Sequence, residues 1–374
     1  MIDNFQKIFI VVISIIFVFM ITTAGGAVNI DVRGELETVL LYQNIQDSLT
    51  EEMSEILTEQ RVDLRFRVDD DLHRGVIAWE FFTEEKELNF YETYLDLMLP
   101  DFSFLRVGRQ DIRQGEGFAW NPTTFIEVSN KVTGSGFVKK DSSMAVNYTK
   151  NLRDYSAVFT VIPEETLENI HLRGSLSRGL FTGDLTATFY YNDGKKGLGS
   201  SFLFPVVGDL MMYNETSWKW DFERQYVSEA GQVETRTKSP YIHNVLGVYN
   251  IFSDNSFFTA EYYFNNEGWD EQEATNYFAF RPEPEIDVPE GRMRRNYLYF
   301  QYTKPDLIGS IDVSSGLLFN IDDSSFLFTP GFSYEFTDNI DFSFDVQHFG
   351  GSSDSEYGAL PYDTSVKAAI SLFF

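Results

Sequence analysis

The chain of 374 residues contains no cysteine. That excludes a disulfide framework and any thiolate metal site. Histidine is nearly absent too: His73, His171, His243 and His348 are the only four, and none sits in a zinc-ligand or nucleophile-elbow pattern. Basic residues are scarce, 29 Lys and Arg against 57 Asp and Glu, for a formal net charge of -28. Nucleic acid requires a basic face and is excluded as a partner on that ground. Apart from Ile8 to Ile21 there is no long apolar run, and the mean hydropathy of -0.21 rules out a bundle of apolar helices. No Pro/Ser-rich linker divides the chain, so one large unit is expected to absorb it.

The N-terminal run has Lys7, then the apolar stretch, then small residues up to Ala27. This is the pattern of a cleaved secretory signal peptide over 1–27, with Ala24 or Ala27 at the cleavage point. An uncleaved anchor is the alternative, but the run is short against the ~20 residues of a span.

What the chain has in abundance is aromatics, 36 Phe and 20 Tyr, laid out with a period of two. In RVDLRFRVD, Val62, Leu64, Phe66 and Val68 alternate with Arg61, Asp63, Arg65 and Arg67. In DFSFDVQ, Phe342, Phe344 and Val346 alternate with Asp341, Ser343, Asp345 and Gln347. The final SVKAAISLFF carries Val366, Ala368, Ile370, Leu372 and Phe374 on one side. Such alternation makes strands with one apolar face, which a soluble sandwich and a lipid barrel share.

The connections separate the two. About 18 strands fit between residues 28 and 374, with 16 as the alternative count. If the chain starts at the periplasmic side, the even-to-odd turns are short, as at 70–72, 99–100 and 337–339. The long connections, 44–57, 110–141, 221–240, 267–292 and 351–364, all fall at the other end. Short turns inside and long loops outside are the rule of outer-membrane barrels, and a sandwich has no reason to sort loops by parity. The expected fold is therefore all-β: a transmembrane antiparallel β-barrel over 28–374, exported to the bacterial outer membrane. A terminal Phe374 on an alternating strand resembles the closing-strand signal that the barrel-assembly machinery reads.

Alternation also proposes a lumen. Arg61, Arg65, Arg67 and Arg106 are expected to point inward, faced across the pore by Glu92, Asp96, Asp341 and Asp345. Facing columns of opposite charge orient polar solutes, although simple solvation of a wet lumen explains the same residues. The 110–141 loop is expected to fold inward or to stand out in solvent. If inward, Arg109, Gln110, Arg113 and Trp120 offer bidentate donors and an aromatic platform. The acidic runs Glu51–Glu55, Asp270–Glu273 and Glu283–Asp287 lie in outer loops. Their oxygens suit hard divalent cations, and solvated loop charge is the favoured account of them.

Gly108-Arg109-Gln110, then Gly115-Glu116-Gly117 and Asn121-Pro122, resembles the strand-plus-loop signature of Gram-negative porin-like families related to alginate-export channels. The resemblance implies a wide barrel that passes polar or anionic solutes; a polyanion would need more basic residues than this chain has. The expected function is a passive channel for small polar solutes, with no cofactor. Its expected partners are outer-membrane lipid, lipopolysaccharide and the barrel-assembly machinery. A plugged structural or adhesive barrel is the rival, and an outer-membrane enzyme a weaker one.

Overall fold

The computed structural model describes residues 29–45, 53–70, 72–84, 86–112, 115–125, 140, 142–163, 170–180, 182–237, 240–280, 286 and 293–374. The proposed signal peptide, Ala24, Ala27 and Arg113 lie outside the described residues.

Alternating sequence becomes strand throughout. The first half holds β1 (Asn29–Ile45), β2 (Met53–Asp69), β3 (His73–Phe82), β4 (Glu87–Met98), β5 (Phe104–Gln110) and β6 (Ser143–Leu152). It continues with β7 (Tyr155–Pro163), β8 (Ile170–Leu180), β9 (Gly183–Asn192), β10 (Lys195–Val207) and β11 (Leu210–Trp220). A small separate hairpin follows, β12 (Glu223–Val227) and β13 (Val233–Thr237), and then β14 (Tyr241–Ile251) and β15 (Phe257–Asn265). Helix α1 (Glu271–Phe280) precedes β16 (Asn296–Lys304), β17 (Ile311–Asn320), β18 (Phe326–Thr337), β19 (Ile340–Gly350) and β20 (Tyr362–Phe373). Eighteen of these strands form one antiparallel sheet in which each pairs with its sequence neighbour, β11 pairs with β14, and β20 returns to β1. The sheet is closed and has no edge.

The barrel is inside out relative to a soluble protein. Ile30, Val32, Leu36 and Leu40 on β1, Phe189 on β9, Phe332 on β18 and Ile370 on β20 are exposed on its outer surface. The inner rows bury Glu37, Asp63, Glu80, Glu215 and Glu261. A continuous apolar exterior around a polar interior suits hydrocarbon outside and water inside. Short turns gather at one end, including 70–72, 153–154, 208–209 and 338–339, and the long connections gather at the other.

Two elements escaped the alternation reading, because both lie inside long connections. α1 begins with a capping box: Glu273 N donates to Asp270 Oδ1 at 3.0 Å and Asp270 N to Glu273 Oε2 at 3.0 Å. The acidic run Asp270–Glu273 is thus a helix start. Arg224 on β12 buries against it, with Nη2 to Glu273 Oε1 at 2.5 Å, and Trp269 Nε1 donates to Gln225 O at 2.9 Å. Val227, Trp269, Ala274 and Ile286 form a small core that joins hairpin and helix over the long-loop end.

Three turns share an Asp-x-Ser device. Asp101, Asp254 and Asp323 each accept from the backbone N and the hydroxyl of the serine two residues on. The residue between, Phe102, Asn255 or Ser324, is left-handed with φ near 60°. At the short-turn end Lys150 and Ser103 hold the Asp101 carboxyl well below the usual range, and Ser256 and Lys304 do the same for Asp254. Asn tolerates this backbone; Phe does not, and Phe102 is 78% exposed with no packing to offset the strain. Phe102→Asn is expected to stabilise the folded barrel by about 1 kcal/mol. The check is a rise in the urea midpoint without a change in slope.

At the seam, Phe374 N donates to Gly34 O at 3.0 Å and Gly34 N to Phe374 O at 2.7 Å. The Phe374 ring lies over Gly34, where any Cβ would overlap it and would also crowd Leu64. The aromatic covers the backbone that a glycine leaves bare.

Candidate functional site: a charged wall and an inward loop

Register assembles the charged wall. Arg61 stands opposite Glu37 on β1 and pairs with it at 2.7 Å, with Glu35 at 3.2 Å and with Glu80 at 3.9 Å. Arg65 stands opposite Ala78, and Ala78 opposite Glu92; the small side chain lets Arg65 reach over β3 to Glu92 at 2.9 Å. Arg67 pairs with Asp69 at 2.8 Å. Arg106 stands opposite Asp96, makes two bonds to it at 2.6 and 2.9 Å, and lays its guanidinium 4.1 Å from the centre of the Tyr94 ring. At the short-turn end of this wall a cavity of about 420 Å³ is lined by Arg74, Asp96, Arg106, Asn147 and Phe104, among others.

This corrects the expectation of columns facing across the pore. Glu92 and Asp96 share the wall with the arginines, since β4 is two strands from β2 and next to β5. Asp341 and Asp345 are on β19, joined to β2 through β20 and β1, and Asp345 stands opposite Lys367. The arginines and the carboxylates they touch are contact pairs on one side of the barrel.

Arg109 is also displaced from its expected place. It stands opposite Thr93 and Met144, in the row of Leu105 and Val107, and Nη1 bonds Ser142 O at 3.2 Å. The reason is parity: Arg109 is three residues from Arg106, so the inward position falls to Gly108. Gln110 does lie in the inward row, but it is buried and its amide is spent on Gly108 O and Ala145 O at 3.3 and 3.0 Å.

The loop after β5 enters the lumen and crosses to the other wall. Ile112 O accepts from Arg173 on β8 at 3.1 Å. Residues 115–125 then lie along β9 to β16. Glu215 on β11 accepts the backbone N–H of Glu116, of Gly117 at 3.1 Å and of Thr123 at 3.4 Å, and the Thr123 hydroxyl at 2.9 Å. Glu261 on β15 accepts the N–H of Phe118, that of Ala119 at 3.1 Å and the hydroxyl of Tyr213 at 2.5 Å. Trp120 stacks on Tyr263 with ring centres 4.8 Å apart and is only 4% exposed, in a cluster with Tyr213, Tyr297, Phe349 and Tyr357. It is packing, not the open platform expected of it. Phe125 stacks on Tyr190, over Gly197. Lys140 returns to the charged wall, paired with Asp63, and its N–H bonds Glu80 Oε1 at 2.8 Å.

Glu215 and Glu261 were not read from the sequence as functional. Their signal was present: each is a lone acid on the inward parity of an aromatic strand, MMYNETSWKW and FFTAEYYFN. A carboxylate in such a row needs donors, and the loop supplies them.

A closed 18-stranded barrel with an apolar exterior, a charged wall and a loop folded into the lumen has the architecture of a porin. Solved structures of outer-membrane channels bear this out at the level of fold. OccAB4 of Acinetobacter baumannii is 8% identical with a TM-score of 0.57, covering 92% of this chain and 98% of that one. OpdQ of Pseudomonas aeruginosa is 7% identical with a TM-score of 0.57 and the same coverage. OccAB1 of A. baumannii is 10% identical with a TM-score of 0.55, covering 92% and 96%. No protein-family model matches the chain, and no curated protein matches it. The narrower resemblance to alginate-export channels is not shown by these likenesses.

Proposed function

We propose that this chain is an outer-membrane channel that admits small polar solutes by passive diffusion, exported by a leader cleaved at Ala24 or Ala27. One observation carries the reading. Arg65, Arg67 and Arg106 face inward, yet their side chains are 41%, 35% and 35% exposed. Water reaches the Arg65–Arg67–Arg106 part of this wall, whereas the Arg61 end is buried under Lys140 and the opposite wall is covered by the loop. The solute path runs between them, past ion pairs whose dipoles orient polar groups. Lipid and lipopolysaccharide surround the apolar exterior in this reading, and the assembly machinery engages β20. The rival, a plugged barrel, draws on the aromatic cluster around Trp120; absence of any conductance in a planar bilayer would favour it.

Selectivity follows from the pairing. The wall arginines are balanced by their carboxylates, so the acidic excess of the chain sets a weak cation preference. Arg106→Gln frees Asp96 and is expected to increase that preference at low salt. The shift should fade near 1 M, where screening shortens to about 3 Å. Arg109→Gln, in the outer row, is expected to leave the reversal potential unchanged. Equal shifts from the two variants would remove Arg106 from the solute path.

A further inference from the structure

We infer that Glu215 and Glu261 are positioning residues that latch the inward loop to the barrel wall and thereby set the width of the pore. The conductance arm of the test rests on the channel reading above; the labelling arm does not.

Beside the stacking of Trp120 and Phe125, the loop's polar anchoring is mainly through its backbone. Five N–H groups, from Glu116, Gly117, Phe118, Ala119 and Thr123, converge on two carboxylates from strands β11 and β15. Charge-assisted bonds of this kind are about twice as strong as neutral ones. The arrangement also explains the glycines of Gly115-Glu116-Gly117. A Cβ on Gly115, at φ +149°, would overlap Asn121 Oδ1 and crowd Glu215 Oε1; a Cβ on Gly117 would overlap the Trp120 carbonyl. Asn121 Oδ1 closes the turn by accepting Gly117 N–H at 3.1 Å. The GEG…N segment is therefore an anion-clasping nest whose anions belong to the protein itself. Arg173 on β8 is the cation that interacts with Glu215, and the carboxylate oxygens otherwise take these N–H groups with the Thr123 and Tyr213 hydroxyls.

The consequence is specific. A glutamine keeps the shape of the side chain but replaces one acceptor oxygen with a donor, which would meet the loop's N–H groups head on. Glu215→Gln with Glu261→Gln should release the loop without opening the barrel, whose ladder hydrogen bonds do not involve these side chains.

The test uses the full-length protein in detergent and in planar bilayers, and exploits the absence of cysteine. Thr124→Cys, at a loop position that is buried at 7% exposure while the loop is latched, is placed alone in the wild-type and in the E215Q/E261Q backgrounds. Maleimide labelling should be on the order of tenfold faster in the latter, as expected of a segment that opens locally. Conductance should rise about twofold as the constricting loop leaves the lumen. Gly117→Ala breaks the clasp from the loop side with the wall untouched, and should give the same two results even if the double variant folds poorly. Phe118 packs on Tyr249 with ring centres 5.4 Å apart. Phe118→Cys with Tyr249→Cys, oxidised in the E215Q/E261Q background, should return conductance to the wild-type value. Faster labelling with no conductance in any variant would sink the channel reading and keep the latch. Unchanged labelling in both E215Q/E261Q and G117A barrels that remain heat-modifiable would overturn the latch.

Discussion

Removing Leu372, Phe373 and Phe374 should abolish assembly of the barrel. The closing ladder pairs Leu36 with Leu372 and Glu35 with Phe373, and Gly34 exchanges both backbone bonds with Phe374. β19 also loses its pairing of Ile340 with Leu372. Without these residues one end of the seam stands open in hydrocarbon, and each unpaired N–H or C=O there costs several kcal/mol. The expected result is loss of the folded, heat-modifiable band from the membrane fraction. Phe374→Ala is the milder variant: it keeps the backbone bonds but uncovers Gly34. Normal levels of folded, truncated protein would refute the seam as described.

A second large effect is expected on β2. Leu64 belongs to the outward row, opposite Gly34 on β1 and Trp79 on β3, within reach of the Phe374 ring. Leu64→Arg should destabilise the barrel by about 2–4 kcal/mol if that row lies near the bilayer midplane. Arg65→Leu, one residue on, loses a half-exposed pair with Glu92 and should cost no more than about 1 kcal/mol. Urea unfolding into lipid vesicles, followed by Trp fluorescence, measures both. The reverse order would place the charges of β2 outside and the apolar row inside.

Much of the fold was legible because a barrel repeats one local rule. Alternation marks 18 strands; 340–350, between the connections 337–339 and 351–364, has the bounds the sequence suggests, and the parity of connection lengths orients the set. β2 begins earlier than expected, at Met53, because the glutamates in Glu51–Glu55 mask the start of an extended strand. The site was less legible. Parity put Arg61, Arg65, Arg67 and Arg106 inward, but parity says nothing about which strands are neighbours around a cylinder. Whether Glu92 sits across the pore from Arg65 or two strands away depends on closure, and the small Ala78 between them decides the contact. Arg109 does not join Gln110 in the lumen because successive residues of a strand cannot share a face, so GRQ is not one unit. Trp120 looked like a binding platform because a loop tryptophan with no visible partner invites that reading. Its partners, Tyr263 and Tyr297, are more than a hundred residues away. The capping box at Asp270–Glu273 is present in the sequence as an Asp three residues before a Glu, but a run of acids between strands reads equally as solvated loop charge.

The loop after β5 is fastened at both ends. Its Gly115–Phe125 stretch is held on the side of β11 and β15, and Lys140 is held by Asp63 and Glu80 on the side of β2 and β3. β2 and β11 lie half a circumference apart in the order of the 18 strands. A thin cylinder resists stretching along its wall far better than it resists flattening into an oval. Flattening toward an oval changes the distance between the two fastenings, Glu215 and Glu261 on one side and Asp63 and Glu80 on the other, so a deformation of the wall is felt at the points where the loop is held.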